Sequence, residues 1–207
     1  MTRALYLGPW RVDVTVRDGV RPPVARARLA RAVAAAVEAA GAPAPASIGL
    51  ILSDDAELAE LNAAHLGMRG PTDVLSFPLL PPSAFPRQPG GTERGHATGP
   101  AFPLPPGRRQ HLGDIVISVE RAITQAEAGR GGQTGDVAWS PSDELRLLAT
   151  HGALHICGWD HAEPAEESAM RAVELRLLRP SRSGGRRPGR WPAPPEGRSR
   201  ARSPREP

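Results

Sequence analysis

Three of the chain's six histidines fall within one eleven-residue stretch, His151-Gly152-Ala153-Leu154-His155-Ile156-Cys157-Gly158-Trp159-Asp160-His161. On a helix, residues four apart differ by about 40° in direction and about 6 Å along the axis. His151 and His155 therefore face the same ion. Gly158 is suited to the left-handed conformation that ends a helix and reverses the chain, and the reversal returns His161 as a third imidazole. Three protein nitrogens with one open position is the plan of a catalytic zinc site, whereas structural zinc is usually closed by four ligands, cysteines prominent among them. The spacing predicts one Zn2+ held by His151, His155 and His161.

The pattern also matches the extended zincin signature H-E-x-x-H-x-x-G-x-x-H at every position but one. Where a metallopeptidase carries its glutamate general base, this chain has Gly152. A glycine takes no proton, so the metal site is kept while the peptidase base is missing. Asp160 has two readings. As an outer acceptor it orients an imidazole N–H; as a proton acceptor it replaces the absent glutamate, and orientation is favoured. Asp114, at a strand end, reads either as a second outer acceptor or as a turn acid. Cys157 has apolar neighbours and reads as a packed helix residue.

Elements able to position these groups are visible along the chain. Val12, Val14 and Val16 alternate with polar residues from Trp10 on, a strand pattern. An alanine-rich helix is predicted over 24–40, stopped by Gly41, and a buried strand over 47–52. Ser53-Asp54-Asp55 caps a helix running to His65, and a strand follows over 72–77. A strand over 114–118 and a helix over 120–128 come next. Ser140-Pro141, followed by Asp143 and Glu144, opens the helix that carries His151 and His155. A last amphipathic helix spans 164–178. Four strands interleaved with five helices predict an α/β (α+β) single domain, a small mixed sheet covered by helices, with a zincin-like metal helix across it.

Composition bounds the rest. Residues 1–178 read as the domain, with a Pro/Gly-rich insertion at about 78–110 expected to lack packed structure, as is the loose segment 131–135. Nine of the chain's arginines but only two of its acids lie from Arg179 on, so the net charge of +4 belongs to a disordered tail, 179–207, and the domain is slightly acidic. No stretch approaches the roughly 20 apolar residues of a membrane span. A single cysteine and an N-terminus too short in apolar run for a signal peptide fit a cytoplasmic protein.

Two further blocks accompany the histidines. Leu61-Asn62 and His65-Leu66-Gly67 lead to Pro71-Thr72-Asp73-Val74-Leu75-Ser76-Phe77-Pro78, and Leu112-Gly113-Asp114-Ile115 stands between that run and His151. Over residues 10–178 the three blocks together resemble the YbeY family, bacterial metal-dependent endoribonucleases. The resemblance implies a zincin-like α/β fold, zinc on His151, His155 and His161, and single-stranded RNA as substrate. It further implies a role in ribosomal RNA processing (16S rRNA 3′-end maturation) and in ribosome quality control, with ribosomal RNA and the ribosome as partners. Neither DNA nor a membrane is expected as a partner. The chain departs from the family pattern in having Leu66 at a usual arginine position and in the length of its insertion.

Arg69, Arg108, Arg109 and Arg121 are the candidate phosphate contacts on an otherwise acidic domain. The general acid and base are left unassigned. Two other readings stand beside the nuclease: a ribosome-associated assembly factor with a mainly structural metal, and a metallopeptidase, which Gly152 opposes.

Overall fold

The computed structural model describes residues 1–86, 88–89, 108–129 and 139–179. Within them five strands form one mixed sheet: β1 (Thr2–Leu7), β2 (Trp10–Val16), β3 (Ala46–Ser53), β4 (Val74–Pro78) and β5 (Gln110–Ser118), in the order β1-β2-β3-β5-β4. The central trio β2, β3 and β5 is parallel, and the two edge strands run antiparallel to their neighbours. Parallel strands need crossovers. The chain supplies them with α1 (Arg26–Ala39) between β2 and β3, and with α2 (Asp55–Leu66) and β4 between β3 and β5. Three more helices follow: α3 (Val119–Glu127), α4 (Pro141–Ile156) and α5 (Pro164–Leu178). No helix among the described residues is long and apolar enough to cross a membrane.

Side-chain alternation decides which face each helix covers. On β2, Trp10, Val12, Val14 and Val16 are buried while Arg11, Asp13 and Thr15 point the other way. The inner face joins them with Ile48, Leu50 and Leu52 of β3 and Ile115 and Ile117 of β5. Leu29, Val33 and Val37 of α1 and Leu145, Leu148 and Leu154 of α4 complete this core. α5 packs on α4 and α1. Among the described residues the outer face is only partly covered. There Leu58 and Leu61 of α2 sit with Ile51, Leu75, Phe77 and Val116 in a second, smaller cluster.

Local signals hold most helix ends. Asp54 caps α2 by accepting from the Glu57 amide at 2.9 Å, and Gly67 closes it at φ 66°. Ser140 caps α4 by accepting from the Asp143 amide at 3.2 Å, with Pro141 in the first turn.

Three expectations change. β1 is a strand that hydrophobic alternation does not announce, because an edge strand leaves most of its residues exposed and buries only Leu5 and Leu7 in part. Its signal is Gly8-Pro9, a two-residue hairpin turn with Gly8 at φ 61°. The insertion is also not structureless throughout. The Leu79 amide donates to the Leu112 carbonyl at 2.9 Å, Pro82–Ala84 form a 3₁₀ turn, and Phe85 is buried in the main core. Proline-rich composition hid three apolar side chains, Leu79, Leu80 and Phe85, of which the last two reach the core. β5 likewise begins earlier than expected, at Gln110. Residues 90–107, the segment 131–135 and the tail from 180 lie outside the described residues.

Candidate metal centre

The C-terminal half of α4 crosses β4 and β5, and the sequence explains how closely. A side chain at Gly152 would place its Cβ 2.6 Å from Ile115 Cγ2 and 3.3 Å from Val74 Cγ2. The bare backbone lets the helix settle onto the strands, where the Ser76 hydroxyl donates to the Gly152 carbonyl at 3.1 Å. One residue back and three residues on, His151 and His155 stand about 100° and 60° round the helix from this contact, on its flank. α4 ends at Ile156, and Gly158 takes φ 79°. The reversed chain brings His161 alongside.

One ring nitrogen from each of His151, His155 and His161 lies within 4.8 Å of the other two, and His151 Nε2 and His155 Nε2 are 3.0 Å apart. Tetrahedral zinc with bonds of 2.0–2.1 Å holds its nitrogens about 3.3 Å from each other. The three imidazoles are thus close to the spacing that one small divalent ion requires. The charge state of His155 suits it too. Burial, then the neighbouring His151 and His161, push the His155 imidazole down to about 4, so at neutral pH it is an uncharged ligand.

Other groups fix the tautomers. His155 Nδ1 lies 2.9 Å from the Trp159 carbonyl, so Nδ1 donates and Nε2 keeps its lone pair. His151 Nδ1 lies 2.7 Å from Glu174 Oε1 on α5. Glu174 is the acceptor that the sequence reading missed. Its signal is an acid on the face of α5 that also carries Met170 and Leu178, both buried. Asp160 Oδ1 accepts from the His161 backbone amide at 2.8 Å, fixing the turn that carries the third histidine. Asp114 does not reach this centre. It points from the outer face of β5 to His111 Nε2 at 3.3 Å, because Gly113 and Ile115 take the inner-face positions. Cys157 is buried, which pushes its thiol up to about 12, so it is an inert packing residue.

A cleft of about 400 Å³ opens beside the histidines, between α4 and α5. His151, His161, Asp73, Glu167, Arg171 and Glu174 supply its polar lining, and Leu147 and Leu175 are among its apolar walls. Asp73 is the second residue that sequence reasoning did not select, although it stands inside the Pro71–Pro78 block. Its carboxylate accepts from the Val74 amide at 2.9 Å and from Gln125 at 3.1 Å, which fixes it at the cleft wall. Of the four candidate arginines, none lines this cleft. Arg121 is paired with Asp55 at 3.1 Å, Arg69 is exposed after α2, and Arg108 and Arg109 lie together at the start of β5. Asn62, buried, donates to the Gly70 carbonyl at 2.8 Å and so holds the loop bearing Arg69.

Two expected results follow from this geometry. Glu174→Ala frees the His151 ring, and loss of such an outer acceptor lowers metal affinity by about 10- to 100-fold; competition with a chelator measures it, with an unchanged melting temperature of the metal-free protein as control. The second concerns pH. His155 is harder to protonate folded than unfolded, so the unfolded state binds the extra proton between the two pKa values. Metal-free protein is expected to hold its stability above the ordinary value of 6.5 and to lose it as pH falls toward about 4. Urea midpoints of parent and His155→Gln check this, the variant showing the smaller drop.

Comparison with known proteins agrees with the three sequence blocks. The family model described as endoribonuclease YbeY matches residues 19–181. A Roseiflexus sp. (strain RS-1) protein named endoribonuclease YbeY is 34% identical over 169 residues, covering 81% of this chain and 91% of its own. One of the same name from Salinispora tropica is 40% identical over 139 residues, covering 67% and 76%. Among solved structures, a Thermotoga maritima protein is similar at a TM-score of 0.39 and 17% identity, over 80% of this chain and 88% of its own. That likeness is too distant to decide anything, and the sequence matches stand without it. By the match of the family model and of these relatives over most of its length, the chain belongs to the YbeY endoribonuclease family.

Proposed function

We propose that this protein is a zinc-dependent endoribonuclease specific for single-stranded RNA, acting in the cytoplasm on ribosomal RNA in 16S rRNA 3′-end maturation and ribosome quality control. The observation that carries the reading is the convergence of His151, His155 and His161 at the mouth of a cleft in a chain of this family. The names of the relatives add the substrate class. Against peptide hydrolysis stands Gly152, whose missing side chain is replaced by direct packing on Ile115 and Val74.

In this reading the three imidazoles hold the ion, and Glu174 and the Trp159 carbonyl keep two of them in the correct tautomer. When bound, the ion would supply Lewis acidity, making water easier to deprotonate and bearing charge that develops on a phosphoryl oxygen. The protein's own share is positioning and proton transfer. In this reading the cleft takes an unpaired strand beside the histidines, with the carboxylates of Asp73 and Glu167 in its lining. The test is cleavage of single-stranded against duplex RNA by purified protein, with and without zinc, casein serving as the control substrate. Zinc-dependent cleavage of the single strand supports the proposal; peptide cleavage without RNA cleavage overturns it.

A further inference from the structure

Among the described residues, the outer face of the sheet is sealed by α2 at one end only. Toward the other end the strands turn polar side chains to solvent: Tyr6 from β1, Arg11 from β2, Ser47 from β3 and His111 from β5. With Arg108 and Arg109, which lead into β5, the first three line a recess of about 360 Å³. Three guanidinium groups thus surround one concavity. Only Arg11 is matched, by Asp13 at 3.0 Å. Neither Arg108 nor Arg109 has a carboxylate in ion-pair distance among the described residues. Arg109 is instead anchored by the Pro9 carbonyl and lies over the Tyr6 ring, 5.8 Å from its centroid.

The floor of the recess is as ordered as its rim. Ser47 Oγ is 3.0 Å from His111 Nδ1, and the far nitrogen of that ring meets Asp114. Asp114 has room there because Gly49 carries no side chain; a Cβ at that position would come within 1.9 Å of Asp114 Oδ1. Guanidinium groups such as those of Arg108 and Arg109, with no carboxylate partner among the described residues, match phosphate oxygens, which accept their forked N–H bonds. Tyr6, 64% exposed, offers a flat aromatic surface beside them. Arginine with an exposed aromatic on an open sheet is how proteins take the backbone and bases of an unpaired strand.

We propose that this recess is a second RNA contact, a backbone site for single-stranded RNA remote from the histidines. It rests on the endoribonuclease reading above. The recess lies on the face opposite α4. β2 is three strand spacings from β4, about 14 Å across the sheet, so only a strand of several nucleotides reaches both sites. The recess therefore anchors long RNA and contributes little to a short one.

Binding of a nuclease-resistant 2′-O-methyl phosphorothioate oligouridylate to the full chain with its metal, followed by fluorescence anisotropy across a salt series, tests this. Combining Arg11→Ala, Arg108→Ala and Arg109→Ala is expected to weaken binding and to flatten the dependence of log K on log salt by about 2, at about 0.7 for each single-strand phosphate contact. Tyr6→Ala, which alters no charge, is expected to weaken binding by about tenfold without changing the slope. Cleavage of long RNA should fall with the affinity, and cleavage of a dinucleotide far less. Unchanged affinity and slope in both variants overturn the site. Equal losses on long and short RNA overturn it too, since the side chains would then act at the histidines or on the fold. Loss of binding to phosphatidylglycerol vesicles with RNA binding intact assigns the recess to a lipid surface instead. A parent that cleaves RNA yet ignores the substitutions defeats this site alone, whereas a parent that neither binds nor cleaves RNA defeats the endoribonuclease reading. Should the triple variant fail to fold, Arg108→Ala and Tyr6→Ala decide the matter singly, both side chains being exposed.

Discussion

His155→Ala is expected to abolish metal binding and RNA cleavage together, with at least about a 10³-fold loss of rate, because a Lewis-acid ion contributes several kcal/mol to such a reaction. His155 stands between the other two ligands. Its Nε2 is 3.0 Å from that of His151, and its ring centroid is 5.0 Å from that of His161. Removing it leaves two imidazoles whose centroids are 5.6 Å apart, too few to hold the ion tightly. The scaffold should survive. The His155 side chain is only partly buried, and the backbone of α4 is held by its Ser140 cap and by the core contacts of Leu145, Leu148 and Leu154. Zinc content by mass spectrometry, circular dichroism and single-strand cleavage together give the result. Cleavage that persists without zinc would move the reaction elsewhere. A fold that collapses with the metal would make the ion structural and favour an assembly factor over an enzyme.

Gly152→Glu restores the zincin signature on paper, and it is expected to unfold the protein rather than create a peptidase. In a helix, replacing glycine by alanine gains up to about 1 kcal/mol of propensity. Here that gain is opposed by a Cβ at 2.6 Å from Ile115 Cγ2 and 3.1 Å from Ser76 Oγ. The first of these atoms is fixed directly to the β-carbon of a buried strand residue and moves only if the rotamer or the strand does. Overpacking of this kind costs about 1–3 kcal/mol, so even Gly152→Ala should be net destabilising. Glutamate adds a carboxylate beside Ile115 and Val74, and desolvating it costs several kcal/mol more. Against a total stability of about 5–15 kcal/mol, that is enough to remove the native state or most of it. Urea denaturation of the alanine variant and solubility of the glutamate variant report the two outcomes. A folded Gly152→Glu protein that cleaves casein would show that only the missing base separates this chain from a peptidase.

Most of the fold was legible because its signals are local. Val12, Val14 and Val16 alternate on β2, Asp54 and Ser140 cap their helices, and Gly67 and Gly158 end theirs with positive φ. Each is set by residues within one turn or one pleat. β1 escaped because an edge strand buries little and so leaves no alternation to read. Phe85 escaped because its burial depends on where a proline-rich loop meets the core, which composition does not encode.

The histidine centre divides in the same way. Sequence by itself determined which three imidazoles converge, since helix geometry from His151 to His155 and a turn at Gly158 bring them together without help from the rest of the chain. It also determined that no glutamate base stands at position 152. Only the tertiary structure decided what surrounds them. Glu174 comes from a helix 23 residues further on, the closure of position 152 comes from β4 and β5, and Arg108 and Arg109 meet Arg11 and Tyr6 only because the sheet order places those strands side by side. Contacts of that kind are fixed by packing between distant segments, and no spacing along the chain carries them.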